Sequence, residues 1–304
     1  MIENKSSLTA LMSAFARAYH TENATTPVFA DSIAKQLFSE EEYRAMCGYV
    51  LGGIDFFAPD KKGEFKSGEE ALKYLVNTQL APTPVARAKF CEDALKTAVL
   101  TGTSQYVILG AGLDTFALRE REFLNKFSVF EVDHPATQAD KRARIDRAGL
   151  TLPEKQHFVP VDFAKDNLAQ KLLDAGFDPK KKSFFSWLGV SYYLTEEQIA
   201  NTLKSIADIS ADGSCVVFDY ADENLFSSNV RRVKNMLVMA KAGGEEMKSC
   251  LSYEQLEKLL EENGFLIYEL LTEQDIQNTY FKGKNNNEIS AFEHINYVTA
   301  VYKR

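Results

Sequence analysis

The chain has 304 residues, 45% of them hydrophobic, 26% charged and 12% aromatic, with a formal net charge of -8. That length buries a sizeable core without disulfide or metal staples, and the negative balance speaks against a duplex-DNA or anionic-membrane partner, either of which needs a basic face. Cys47, Cys91, Cys215 and Cys250 lack the spacing of a zinc or redox pair, no apolar run nears a membrane span, and the opening MIENKSSLTALMSAF has no basic-then-apolar leader pattern, so a cytoplasmic protein without a metal is expected.

The first hundred residues read as helical. Leu8, Leu11, Met12, Phe15 and Tyr19 recur at three- and four-residue steps and make one apolar face. Ser39 and Glu42 form a capping box, and TPVARAKFCEDALKTAVL predicts a helix starting near Pro84. From Tyr106 the pattern changes. YVILG is a short continuous apolar run, as a strand buried on both faces should be. FSVFEVD, HFVPVD, SFFSWLGVSYYL, SCVVFDY, FLIYELL and INYVTAVYK supply six further strands. Between them lie helical segments, among them one opening at Pro135 and two opening on the boxes Thr195–Gln198 and Ser252–Gln255, the second stopping at Gly264. Strand alternating with helix predicts a mostly parallel seven-stranded sheet of the α/β class. One domain over 1–304 is expected, with a helical cap in 1–100 and the sheet and its helices in 101–304. The polar KGKNNNEIS reads as an exposed loop.

Ligands of open parallel sheets bind beyond the carboxyl ends of the strands, where strand order reverses. LGAGLDT ends the first strand, and Gly110 and Gly112, flanking Ala111, let backbone approach a ligand closely. A dinucleotide turn wants a third glycine, but Thr115 stands there, and the preceding Asp114 would repel a pyrophosphate. No Walker pattern follows either. Asp133, roughly 20 residues beyond the turn, is placed to accept from both ribose hydroxyls. Asp162 ends the next strand, where a carboxylate accepts from an adenine amino group, and Phe163 offers its ring to the base. A glycine turn without phosphate affinity, a ribose acid and an adenine acid together describe S-adenosylmethionine. Asp133 and Asp162 are also candidates to cap the helices that follow them.

These residues resemble a known family. YVILGAGLDTFALR, FEVDHPATQADKRARI, FVPVDF and SWLGVSYYLTEEQI are similar to the bacterial branch of the leucine carboxyl methyltransferase-like family, class I S-adenosylmethionine-dependent O-methyltransferases with a Rossmann-like fold. TALMSAFARAYH, VFADSIAKQL and TPVARAKFCEDAL extend the likeness upstream, so it covers about residue 8 to the last strand. The resemblance implies that Gly110 and Gly112 line the methionine part of the cofactor, that Asp133 holds the ribose, and that Asp162 with Phe163 holds the adenine. It implies that Arg87 pairs with the cofactor carboxylate and that Arg17 reaches the same carboxylate, reaches the substrate's acid, or is a solvated surface residue. Glu131 is read as facing away from Asp133 in a supporting role. One departure stands out: many members carry an acid where this chain has Leu188, and that acid meets the cofactor's amino group. Backbone carbonyls near Ser186 to Leu188, or Asp114, are the substitutes.

Methyl transfer from a sulfonium to a carboxylate needs alignment but no base, whereas a phenol or alcohol acceptor generally needs one. Tyr19, His20, Tyr192 and Tyr193 are the candidate bases, with core packing the favoured reading for the tyrosines and a capping or surface position for His20. His134 is read as helix entry, and Trp187 as core or pocket wall. The N-terminal helices are expected to form a lid, with KNNNEIS and the preceding Tyr280 and Phe281 as another wall. The expected acceptor is a small molecule. A sensor of S-adenosylmethionine or S-adenosylhomocysteine without turnover, and a nicotinamide-dependent oxidoreductase, are the alternatives.

Overall fold

A computed structural model of the chain describes residues 7–124, 127–163, 165–283 and 288–304. The longer helices before the sheet are α1 (Leu8–Asn23), α2 (Glu40–Gly52), α3 (Gly68–Leu75) and α4 (Pro82–Leu100), with shorter helical turns between them. The strands are β1 (Gln105–Leu109), β2 (Ser128–Asp133), β3 (Gln156–Pro160), β4 (Ser183–Trp187), β5 (Cys215–Ala221), β6 (Phe265–Leu271) and β7 (Ile295–Tyr302). Between strands run α5 (Pro135–Arg147), α6 (Leu168–Asp174), α7 (Glu196–Asp208), α8 (Arg231–Ala242) and α9 (Tyr253–Glu262).

Seven strands form one sheet in the order β3-β2-β1-β4-β5-β7-β6. The first five pair in parallel, and β7 runs antiparallel to both β5 and β6. Strand order therefore reverses between β1 and β4, and a crevice opens above their carboxyl ends.

Alternation along the strands splits the core in two. Tyr106, Ile108, Val129, Phe184 and Val217 face the cap helices, where they join Phe15, Leu75, Val85 and Phe90. Val107, Leu109, Phe130, Val132 and Phe185 face the other way, onto Leu172, Leu203 and Leu256 of α6, α7 and α9. Each such fully buried side chain stabilises the fold by about 1.5–3 kcal/mol. The lid helices are thus fastened to the sheet by the same apolar layer that forms the floor beneath the crevice.

All three expected capping boxes are present, at Ser39–Glu42, Thr195–Gln198 and Ser252–Gln255. The arginine-bearing helix α4 begins at Pro82, two residues before the expected Pro84. Both prolines fit in a first turn, because the N–H groups there have no intrahelical partner. Asp162 lies just past the end of β3 rather than within the strand. The expected wall at residues 280–290 needs correction: Tyr280 and Phe281 are buried in the core layer, Phe292 and Ile295 line the crevice instead, and 284–287 of KNNNEIS lie outside the described residues. Among the described residues, no helix is long and apolar enough to cross a membrane.

Candidate active site

The crevice at the strand-order reversal holds a cavity of about 1240 Å³. Its wall is built by the first turn of α1, the turn after β1, the ends of β2 and β3, the segment after β4, and α8.

The glycine turn leaves no room for side chains. Gly110 and Gly112 have φ of 68° and 49°, a left-handed backbone that glycine adopts without strain. A Cβ on Gly110 would lie 2.8 Å from Val190 Cγ2, and one on Gly112 would lie 3.0 Å from Ala10 Cβ. Gly110 N and Ala111 N donate to Val132 O at 2.9 and 3.1 Å, locking the turn to β2. Gly112 N donates to Asp133 Oδ2 at 2.5 Å, and His134 N donates to Asp133 Oδ1 at 2.6 Å. Burial raises the pKa of Asp133 while these N–H groups oppose the rise. Each carboxylate oxygen keeps acceptor capacity for a hydroxyl in the cavity.

The helix caps separate the two readings of the strand-end acids. His134 Nδ1 accepts from Ala136 N and caps α5, with Pro135 in its first turn, and Asn167 caps α6. Neither Asp133 nor Asp162 has that duty. Asp162 faces the cavity and pairs with Lys165 at 2.8 Å. Phe163 beside it is 51% exposed and lines the cavity, so its ring is open to a ligand there. Asp114 Oδ1 accepts from Phe116 N at 2.8 Å, so the helix start where a pyrophosphate would sit already holds an acid. Thr115 turns inward and donates to Asp31 Oδ1 at 2.7 Å.

Asp31 ties the lid to that turn. It is fully buried, accepts from Arg17 Nε at 2.9 Å, and has Arg119 Nε at 3.5 Å. Burial would raise its pKa, and Arg17 and Arg119 override that and hold it below the usual carboxylate range. Arg17 also donates to Leu113 O at 2.8 Å. It is therefore an anchor of the glycine turn at the cavity wall, not a solvated surface residue. Arg119 further bonds Glu92, whose carboxyl burial pushes up to about 7 against the opposing Arg119 charge.

Arg87 sits in a second buried junction. Its Nη1 is 3.1 Å from Asp219 Oδ2 and donates to Tyr192 Oη at 3.1 Å, and its Nη2 donates to Ser13 Oγ at 3.3 Å. Those contacts use three of the five guanidinium N–H groups. Asp219, wholly buried in β5, also accepts from Gly189 N at 2.6 Å and Tyr192 Oη at 3.3 Å. Burial opposes the Arg87 charge, and Asp219 more than offsets it, so the pKa of Arg87 rises. Gly189 has φ 74°, and a Cβ there would lie 2.5 Å from both Nη atoms of Arg87.

Of the candidate bases, only Tyr192 and Tyr193 reach the cavity. Burial pushes both phenols well up. Tyr19 packs on Phe15 in the core, its phenol pushed up by burial to about 12. His20 corrects the expected surface or capping position: it is 2% exposed, and its Nε2 accepts from Val28 N at 2.9 Å. Burial lowers its pKa to about 4, so the ring is neutral. Glu131 supports the site through Lys141, which bonds its carboxylate, and Gln156, which donates at 2.7 Å. It does not face away from Asp133, because residues two apart on a strand share a face. Trp187 is both core and cavity wall, 5.8 Å from Phe218 centroid to centroid.

Sequence reasoning missed Asp31, Gly189, Asp219 and Glu245. Ser7, the N-cap of α1, and Thr9 both donate to the Glu245 carboxylate, fastening the start of α1 to the segment after α8. Leu188 lines the cavity without an acid of its own.

Residues 10–207 match the leucine carboxyl methyltransferase family. Over 306 aligned residues, spanning all of both chains, the sequence is 47% identical to a Bacillus subtilis protein named "Putative S-adenosyl-L-methionine-dependent methyltransferase YktD". A Mycolicibacterium gilvum protein of the same description is 32% identical over 68% of this chain and 64% of its own. The fold is shared with a DUF574 family protein from Streptomyces avermitilis at a TM-score of 0.62, with 12% identity, 99% of this chain and 100% of that one covered.

Proposed function

The chain belongs to the leucine carboxyl methyltransferase family and is an S-adenosylmethionine-dependent methyltransferase; from that premise we propose that it is an O-methyltransferase acting on a carboxylate of a small molecule. The observation that carries the proposal is the cavity. At about 1240 Å³ it exceeds the roughly 300–1,000 Å³ of a pocket for one ligand. It therefore has room for cofactor and acceptor side by side.

The residues present fit the cofactor. The glycine cradle excludes side chains where a flexible tail must pass, Asp133 presents acceptors to ribose hydroxyls, and Asp162 with Phe163 presents an acid and a ring to a base. Arg87 has unused N–H groups for the tail's carboxylate. Bound there, S-adenosylmethionine supplies an electrophilic methyl group. The chain's own work is then alignment and exclusion of water. The cap helices do the excluding, held down by Asp31 and Glu245. Tyr192, whose hydroxyl donates to Asp219, and Tyr193 have phenols held protonated by burial and make poor bases at neutral pH. That favours a carboxylate, which needs no deprotonation, over a hydroxyl. Asp114 at the helix start argues against the nicotinamide alternative.

The test is to incubate the enzyme with methyl-labelled cofactor and a panel of small acids, phenols and alcohols, then treat the products with alkali. Label released as methanol identifies methyl esters and supports the proposal. Alkali-stable label identifies ethers and overturns the carboxylate assignment. Tight binding without transfer to any acceptor favours the sensor.

A further inference from the structure

We propose that the acceptor is an apolar monocarboxylate, its body held in a second compartment of the cavity over β4, β5 and β7 and its carboxylate drawn in by Lys248. This rests on the methyltransferase reading above. The residues assigned to the nucleoside lie over β1, β2 and β3. The remaining wall is different in kind: it contains Met12, Phe57, Met236, Met239, Phe292 and Ile295. Four of these, Met12, Phe57, Phe292 and Ile295, are core-buried, and the two methionines of α8 are half-buried against the same layer. Methionine side chains adapt to irregular apolar shapes, which suits a hydrophobic body more than a polar one.

The compartment is built to keep that shape. Arg232, one and two turns before these methionines on the same face of α8, lies over the Phe292 ring at 4.9 Å, bonds Glu293 and Ala291 O and donates to Ser290 Oγ at 3.1 Å. Asn235 Nδ2 donates to Phe57 O at 3.4 Å. Arg232 and Asn235 are thus paired with the neighbours of α8, and Met236 and Met239 are left to line the cavity. At the entrance, Tyr49 lines the cavity while 59% exposed, and Phe56, 41% exposed, packs edge-on to Phe57 at 5.1 Å. These rings make an apolar ledge from solvent inward.

Charge selects the head group. Arg17, Arg87, Arg119 and Lys165 on the cavity wall are each ion-paired with an acid of the chain. Among the described residues, Lys248 is the one cation of the wall with no ion-pair partner. Its backbone N donates to Tyr192 O at 2.7 Å, which sets it beside the two tyrosines. A single carboxylate satisfies that cation, and a second one at the distal end would have to enter the apolar compartment, where an unpaired charge is strongly disfavoured.

The experiment is calorimetric titration of hexanoate, octanoate, decanoate, octanedioate and octanol into enzyme saturated with S-adenosylhomocysteine. Affinity should rise about fourfold for each added methylene, and octanedioate should bind at least tenfold more weakly than octanoate. Lys248→Gln should weaken octanoate about threefold and leave octanol unchanged. Met239→Gln should flatten the chain-length series. Affinity independent of chain length, octanedioate equal to octanoate, or Lys248→Gln acting equally on acid and alcohol overturns the proposal. Absence of S-adenosylhomocysteine binding would instead overturn the methyltransferase reading, and S-adenosylhomocysteine affinity within twofold of wild type certifies each variant as folded.

Discussion

Asp219→Asn isolates the junction that holds Arg87. The wild-type carboxylate serves three donors, Gly189 N, Arg87 Nη1 and Tyr192 Oη, and is itself 0% exposed against 14% for the Arg87 side chain. Asparagine keeps one acceptor oxygen. If that oxygen meets Gly189 N, the amide N–H groups face two other donors, and the guanidinium loses its counter-charge. Removing one member of a buried ion pair costs roughly 3–5 kcal/mol. Urea unfolding should therefore show a loss of about that size. A second readout follows from the Arg87 assignment. In the variant, a ligand carboxylate replaces the missing counter-charge. S-adenosylhomocysteine should then stabilise the variant over 5'-methylthioadenosine, which lacks that carboxylate, by a wider margin than it does wild type, each ligand being held at about 100 times its Kd against wild type, where linkage alone gives about 2.7 kcal/mol. A stability loss under about 1 kcal/mol refutes the buried-pair reasoning. Equal margins for the two ligands in both proteins remove Arg87 from the carboxylate role.

Three further outcomes are expected. His20 is held neutral with its pKa at about 4 against an unfolded 6.5, so its contribution is complete above pH 6.5 and is lost as pH falls toward 4; by pH 5 the loss is about 2 kcal/mol. His20→Gln, which keeps an acceptor for Val28 N, should flatten the fall in urea stability between pH 7 and 5, and an unchanged slope would discard His20 as its source. Asp133→Ala should weaken S-adenosylhomocysteine by about tenfold or more, from the loss of hydrogen bonds to a charged acceptor, with unfolding still cooperative; unaltered calorimetric affinity would remove Asp133 from the ribose role. Gly189→Ala places a Cβ on the Arg87 guanidinium in a left-handed backbone position, so it should cost at least about 1–2 kcal/mol of stability and selectively weaken carboxylate-bearing ligands. Wild-type behaviour in both assays would show that Arg87 does not depend on this glycine.

What the sequence disclosed follows from how local each signal is. The apolar run into Gly110 and Gly112, the acids at Asp133 and Asp162, and the three capping boxes are each set by neighbours within a few residues, and periodicity or spacing is enough to find them. Asp219 looked like an ordinary strand acid because its meaning comes from Arg87, 132 positions away. Asp31 was equally opaque, since Thr115 and Arg119 reach it from across the crevice. His20 near a helix end suggested exposure, and its burial shows only once the chain returns to bring Val28 N onto its ring. Glu131 shows a different failure: the period of two along β2 was sufficient to place it, and its facing was misread. The split of the cavity into nucleoside and acceptor compartments depends on strand order, which pattern alone does not fix.

The Glu245 clasp has a consequence for how the protein is made. Its donor Ser7 stands 238 positions earlier in the chain. During synthesis, the first helix can pack its apolar face on the early cap, as Phe15 does on Tyr43, but its clasp must wait until most of the polypeptide has left the ribosome. Fastening of this second clasp is then a late event of assembly, and long-separated contacts of this kind are slow to form. A nascent chain stalled short of α8 would carry the glycine turn, its acids and the Asp31 tie, yet lack the second clasp on the start of the first helix.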